Sequence, residues 1–357
     1  MEKSSEKSSI NIAQLKKQAL FFVVITLLLT FAYNALLYVT FKDITQAPGY
    51  STLIQMLIPA MVAIFCLFSF KDTGIKRPSK IFFGLFTLYV IVFFWEMLVG
   101  PIIPYKFIQL PIYRFMPTLS ILIAVFSIII LFSMNLKRKW MEELSLLRLS
   151  FGRNLKYYLI LGVIFTVLLF LVYFLNYLLE FGPPLDKYSL STFTLTFLIN
   201  LSIGFFVGWP FYFGEEYGWR VYLQDRLFPI FGGIKGVLLL GLIWGLWHSG
   251  LIIMGMNYPE QPLLGNMVMF LLTIVVGIFY SYAVLKTGSV WIAVLLHMII
   301  DTLEPIAWFY MSYPSETIFC FGMGLYGILI LGIFALLLIL ADGKVWKRDW
   351  ILKNYLN

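Results

Sequence analysis

Long apolar runs alternate with short polar segments along this chain of 357 residues. The runs cover about residues 19–41, 51–70, 81–104, 113–134, 157–179, 190–213, 236–256, 263–285, 289–310 and 318–341. Apart from the rather short second run, each is near the roughly 20 residues that a helix needs to cross a bilayer. The two-residue alternation of an outer-membrane barrel is absent. The pattern predicts an all-α polytopic membrane protein, a bundle of about ten transmembrane helices.

Composition agrees with that class. Hydrophobic residues make up 61% of the chain and charged residues 12%, against about 25% charged in a soluble domain. The net charge of +8 does not call for a nucleic-acid partner, because the basic residues sit between apolar runs and report topology. With the N-terminus inside, 22 of the 26 lysines and arginines fall in inner segments and 4 in outer ones. That predicts both termini in the cytoplasm. Eighteen mostly polar residues precede the first run without a small-residue cleavage site, so that run reads as an uncleaved anchor. Cys66 and Cys320 both lie in apolar runs and suggest neither a disulfide framework nor a zinc ribbon.

The longest inner segment divides the chain. In residues 135–156, Leu144, Leu146, Leu147, Leu149 and Phe151 are interspersed with Arg148, Arg153 and Lys156. This reads as an amphipathic helix on the inner surface. The organisation expected is a tail with a four-span accessory region (1–134), the amphipathic loop (135–156), a chemistry-bearing membrane domain (157–310), and a last span with a basic tail (311–357). Gly182-Pro183-Pro184 reads as an outer turn.

The chemistry concentrates at Gly214-Glu215-Glu216-Tyr217-Gly218-Trp219-Arg220. One ionised group at the centre of a spanning helix costs about 2.5–3.5 kcal/mol even on lenient insertion scales, so three of them point to a protein-lined or watered cavity. On a helix, Glu216 and Arg220 share a face and can pair, while Glu215 is turned about 100° away. An otherwise unpaired carboxylate in such a cavity suits proton abstraction. The chain has two histidines, both inside apolar runs. His248 follows Trp244 by four residues, and His297 precedes Asp301 by four, which puts that second pair on one helix face. Groups this costly are expected to converge on one site buried between helices. Glu96, Asn176 and Asn200 read as interhelical hydrogen-bonding groups. Glu304 lies on much the same face as His297 and reads as structural, near the cavity mouth.

These motifs resemble the CAAX-protease and bacteriocin-processing (CPBP, or Abi) family of intramembrane proteases. Glu215-Glu216-x-x-x-Arg220 matches that family's first motif. His248 matches the second, with Trp244 where the family has Phe, and His297-x-x-x-Asp301 matches the third. The resemblance covers roughly residues 150–310. It implies an intramembrane endopeptidase acting on a membrane-associated peptide or lipidated protein, in CaaX-like trimming, bacteriocin processing or self-immunity. By position, Glu215 would activate water and His248 would help hold it. His297 and Asp301 would stabilise the oxyanion, and Glu216 with Arg220 would support them. Asp301 could instead orient His297. Glu215, His248 and His297 could bind Zn2+, or the same groups could work with water alone. No His-Glu-x-x-His, Gly-x-Ser-x-Gly or Gly-x-Gly-Asp is present. The competing class is a non-catalytic scaffold or peptide transporter that keeps the fold. Short loops point to a bacterial plasma membrane, with membrane lipid as surroundings. The polar stretch after residue 213 is expected in an inner loop, with water and substrate arriving from the cytoplasm.

Overall fold

The computed structural model describes residues 11–47, 49–99, 117–152, 154–178, 190–311, 317–319 and 322–355. Within them, every regular element is helical. The first four apolar runs become α1 (Ile12–Phe41), α2 (Tyr50–Ser69), α3 (Arg77–Val99) and α4 (Pro117–Asn135). A short α5 (Arg138–Ser145) leads to α6 (Lys156–Leu178). Then come α7 (Leu190–Ile203), α8 (Trp209–Glu216) and α9 (Gln224–Phe231), joined by π-turns at Gly204–Gly208 and Tyr217–Leu223. The remainder is α10 (Gly233–Ile253), α11 (Pro262–Thr287), α12 (Trp291–Met311) and α13 (Leu325–Ala341). Among the described residues, seven helices are long and apolar enough to cross a bilayer as they stand. An eighth, α4, qualifies jointly with α5, from which it is bent by 110°. The last run, expected over 318–341, is helical for 17 residues. The chain is an all-α polytopic membrane protein. The outer turn expected at Gly182-Pro183-Pro184, together with Arg153 and Cys320, lies outside the described residues.

Side-chain pairs tie the connecting segments into two opposite faces. On one, Arg226 reaches Gln18 and lies 3.6 Å from Asp72. On the same face Arg148 pairs with Asp225 at 2.9 Å, and Lys286 with Asp342 at 2.8 Å. On the other, the Ile44 N–H donates to the Met254 carbonyl, the Tyr258 hydroxyl to the Met323 carbonyl and the Thr317 hydroxyl to Glu260. The first face gathers the segments rich in lysine and arginine.

Two expectations change. The carboxylate stretch is not in a loop. Helix continues without interruption from Ser191 to Phe231, 41 residues, and Tyr217 is completely buried. Glu215 lies ten residues before Asp225, so it is about 15 Å inside the basic face at the helical rise per residue. Hydropathy ended the run at 213 because it scores the cost of charge in lipid. Here protein groups surround the charge, and the helix has no reason to stop. Nor is 135–156 one amphipathic helix. Helix ends at Ser145, and the following residues form a strap over the α11–α12 turn. The Arg148 carbonyl accepts from Val290 N–H, the Leu149 carbonyl from the Trp291 indole and the Ser150 carbonyl from Ser289. Leu144, Leu147 and Leu149 point into the core. Their spacing of three and two fits no helical stripe. Of the three isolated polar residues, Glu96 does bond across helices, accepting from the Ser120 N–H. The Asn200 amide donates to the carbonyl four residues back in its own helix, as does that of Asn176, which has a further interaction besides.

What places the carboxylate helix is close packing. Trp209, Phe213 and Tyr217 interlock with Phe82, Phe83 and Phe86 of α3, and the first two also with Trp291 of α12. On the other side, Gly214 and Gly218 bring the backbone against α2. A β-carbon on Gly214 would stand 2.4 Å from the Met56 carbonyl oxygen, and one on Gly218 would stand 2.5 Å from Pro59. This is the small-x-x-x-small contact of membrane helices. Gly218→Ala is therefore expected to destabilise the protein by about 1–3 kcal/mol, the usual cost of overpacking. Gly84→Ala is the control, since a β-carbon there meets nothing within 4 Å. Thermal unfolding in detergent compares them. Equal midpoints for the two variants would show that the α2 contact is not tight.

Candidate active site

Three helices, one of them continued by a π-turn, bring the predicted residues together. Glu215 and Glu216 end α8, Arg220 sits on the following π-turn, His248 is on α10, and His297 and Asp301 are on α12. A cavity of about 350 Å³ opens among them, with Glu215, Trp244, His248, Tyr280, His297 and Asp301 in its wall. Glu216 and Arg220 stand behind that wall and are completely buried.

Glu216 is the hub. Its Oε2 accepts from Arg220 Nε at 3.0 Å, and its Oε1 accepts from His297 Nδ1 at 2.8 Å. Both oxygens are thus committed, and the His297 ring is fixed in rotation. The guanidinium of Arg220 lies 4.6 Å from the Trp244 ring centre and 5.5 Å from that of Tyr280. Rings of this kind stabilise a desolvated cation electrostatically. The pairing of the i and i+4 residues follows from the sequence spacing. Its complete burial does not.

Glu215 is free on one side. Its Oε2 accepts from the Trp244 indole N–H at 2.9 Å, which leaves Oε1 for the cavity. The residue at 244 is therefore more than an aromatic packing group, since a phenyl ring has no donor to give Glu215. His248 Nδ1 stands 2.9 Å from the Trp244 carbonyl. A carbonyl only accepts, so Nδ1 carries the hydrogen and neutral His248 has an unprotonated Nε2. His297 is caged by Tyr212, Trp244 and Tyr280 at ring separations of 5.3–5.9 Å. Its Nε2 lies 3.5 Å from Asp301 Oδ2. Two acceptors approach like this favourably when a proton lies between them.

Several wall residues carried no recognised motif. Thr52, Leu53 and Met56 of α2 line the cavity, as do Met256, Asn257 and Met323 from the non-basic face. The signals available for them were the glycine pair at 214 and 218 and the proline inside α2. Glu304 also lines the cavity and accepts from the Tyr173 hydroxyl. It thus combines the structural role and the position near the mouth. Met256, Asn257, Pro305 and Met323 are among the lining residues that retain exposure. They belong to the face opposite the basic segments.

The architecture and the site define a polytopic α-helical membrane protein whose paired carboxylates and histidines are held between helices. Comparison with known proteins places it further. Residues 201–303, under a third of the chain, match the family described as type II CAAX prenyl endopeptidase, Rce1-like, and this match supports an assignment to the CPBP/CAAX protease family. It is also similar to CAAX prenyl protease 2 of Methanococcus maripaludis, with 32% identity over 92 residues. That similarity covers 24% of this chain and 34% of the relative, so it spans about a third of the relative's length. Glu215, Glu216, Arg220, His248, His297 and Asp301 are the predicted residues that converge. All but Glu216 and Arg220 face the cavity.

Proposed function

We propose that the protein is an intramembrane endopeptidase that hydrolyses a peptide bond of a membrane-associated substrate, with a prenylated CaaX-type protein as the leading substrate class. The carrying observation is the division of labour between adjacent glutamates. Glu216 is consumed in holding His297 and Arg220, while Glu215 keeps one carboxylate oxygen for the cavity. Glu215 takes a proton from water as the water adds to the scissile carbonyl, and the unprotonated Nε2 of His248 accepts that water's other hydrogen bond. The proton shared by His297 Nε2 and Asp301 hydrogen-bonds to the developing oxyanion and stays with that pair as the intermediate collapses. Glu215 then passes its proton to the departing amine. Each step uses a group already in the cavity wall.

The donor set speaks against zinc in this reaction. The carboxylate and imidazole atoms that lie within 4.8 Å of one another belong to Glu215, Glu216 and His297, and His248 is not among them. Glu216 has both oxygens occupied and a buried guanidinium beside it. A dication there would have to displace Arg220 or face its charge. A tetrahedral site with three protein ligands and an open position does not fit that arrangement, so the reading is a metal-free glutamate mechanism.

The test uses the full chain reconstituted in vesicles and a farnesylated peptide ending in a CaaX sequence, with mass spectrometry of the products. A released tripeptide, formed at an unchanged rate after treatment with EDTA and 1,10-phenanthroline, is the expected result. If neither that peptide nor unmodified membrane peptides are cleaved, the protease reading falls. Cleavage abolished by chelators and restored by zinc removes the metal-free mechanism alone.

The basic face is cytoplasmic on the positive-inside rule, so both termini lie there, in a plasma membrane of bacterial type. The cavity then opens on the other side, contrary to the expectation of cytoplasmic access. A cysteine at Asn257 is expected to react with a membrane-impermeant maleimide added to intact cells. Reaction confined to inverted vesicles would reverse the orientation.

A further inference from the structure

Helix α1 carries no motif, and much of its surface faces outward, yet a polar stripe runs down its inner side. Gln18, Phe22, Thr26, Thr30 and Asn34 recur every fourth residue, and all are buried. The upper end is tied to the basic face through Gln18 and Arg226. Lower down, Phe22 packs edge-on against Trp219 at 5.6 Å. At the far end Asn34 fills the space beside Gly250, where a β-carbon would stand 2.2 Å from its amide nitrogen. Gly250 is two residues beyond His248, so the stripe ends beside the site.

The polar atoms along this seam have no protein partner. They are Thr26 Oγ1, Thr30 Oγ1, both amide atoms of Asn34, Gln55 Oε1 and the indole nitrogens of Trp219 and Trp247. Trp219 and Trp247 stack edge to face at 6.0 Å, and Gln55 donates to the Trp247 carbonyl at 3.1 Å. Pro59 has no N–H, so it cannot close a helical bond to the Gln55 carbonyl. Threonines elsewhere in the bundle satisfy themselves by bonding four residues back, as Thr40, Thr166 and Thr287 do. Thr26 and Thr30 do not. An unsatisfied buried group costs about 1–3 kcal/mol. Several together would consume a large part of a stability of about 5–15 kcal/mol. Water is the ligand that can donate to the amide oxygens and hydroxyls and accept from the indoles in one confined seam.

We propose that the seam between α1, α2, the Tyr217–Leu223 turn and α10 holds a file of internal water that reaches the catalytic wall from behind. Trp247 belongs both to this seam and to the cavity wall. An apolar substrate lying in the mouth shuts the cavity to bulk water on that side. The file supplies the nucleophile by a route the substrate does not occupy. Its supply role rests on the hydrolytic reading of the site; its existence does not.

The test is hydroxyl-radical footprinting of the full-length protein by X-ray radiolysis in nanodiscs, which marks side chains touching internal water. Trp209 and Trp291 are the controls. Both are buried, at 1% and 4% exposure against 0% and 1% for Trp219 and Trp247, but their indoles donate to the Ala124 and Leu149 carbonyls. Trp219, which does not line the cavity, is expected to oxidise several-fold faster than Trp209, and to fall to the Trp209 rate in Thr26→Val/Thr30→Val. A Trp219 rate no higher than that of Trp209 in the wild type overturns the proposal, and needs no variant to fold. In the peptide assay the same double variant is expected to lose kcat several-fold with KM unchanged. Labelling that falls as expected while kcat stays constant overturns the supply role. Absence of any cleavage by the wild type would remove the protease reading and leave the footprint to decide the water.

Discussion

Glu215→Gln is expected to reduce peptide cleavage by roughly 10²–10⁴-fold, the range that a positioned general base contributes. The amide keeps the size of the side chain and can still accept from the Trp244 indole, so the fold and cavity should persist. What is lost is the oxygen that takes the proton. The effect should fall on kcat, because substrate contacts along the cavity are untouched. Turnover of the farnesylated peptide, with wild-type thermal stability as the folding control, measures this. Activity within a few-fold of wild type would remove Glu215 from the chemistry, and the reading of the adjacent glutamates as one base and one brace would go with it.

Arg220→Leu is expected to act mainly on stability. Its guanidinium is completely buried, pairs with Glu216 at 3.0 Å and lies against Trp244 and Tyr280. Removing it leaves a buried carboxylate with one partner fewer, and breaking such a pair costs about 3–5 kcal/mol. His297 should loosen as well, since Glu216 holds it. A second change provides the discriminating result. Glu216→Gln in the Arg220→Leu background removes the unpaired charge and should recover much of the lost stability, because exchanging both members of a buried pair for neutral groups is often nearly neutral. It should not recover activity. Unfolding of the two single variants and the double variant gives the coupling. Additive losses would mean that the pair contributes no joint term and that Arg220 acts through packing alone.

The bundle was legible because lipid imposes a simple rule. A segment that crosses a bilayer must be apolar over a known length, and the basic residues between such segments partition by side. The six polar residues were legible for the complementary reason: charge inside an apolar run is too costly to be idle. The same hydropathy logic misplaced Glu215. It ended a helix at the first cluster of charge, whereas the chain stays helical to Phe231. It likewise read 135–156 by composition, although three leucines in that segment turn into the core. The role of Trp244 was half-visible. Aromatic packing can be inferred from residue type, but the indole bond to Glu215 depends on where α10 lies against α8.

The sequence alone determined an all-helical membrane protein and the residues able to do chemistry. Their spacing put Glu216 with Arg220 and His297 with Asp301, because four residues bring side chains to one helix face. The rest needed the tertiary structure. Which glutamate is spent on structure and which faces the cavity depends on His297 arriving from a helix 81 residues further along the chain. The direction in which the cavity opens depends on α2 and the turns after α10 and before α13. The polar seam of α1 takes on meaning only beside Trp219, Trp247 and Gly250. Local periodicity determines which residues share a face. Which face meets which, and what is left between them for water, is decided by packing between segments far apart in sequence.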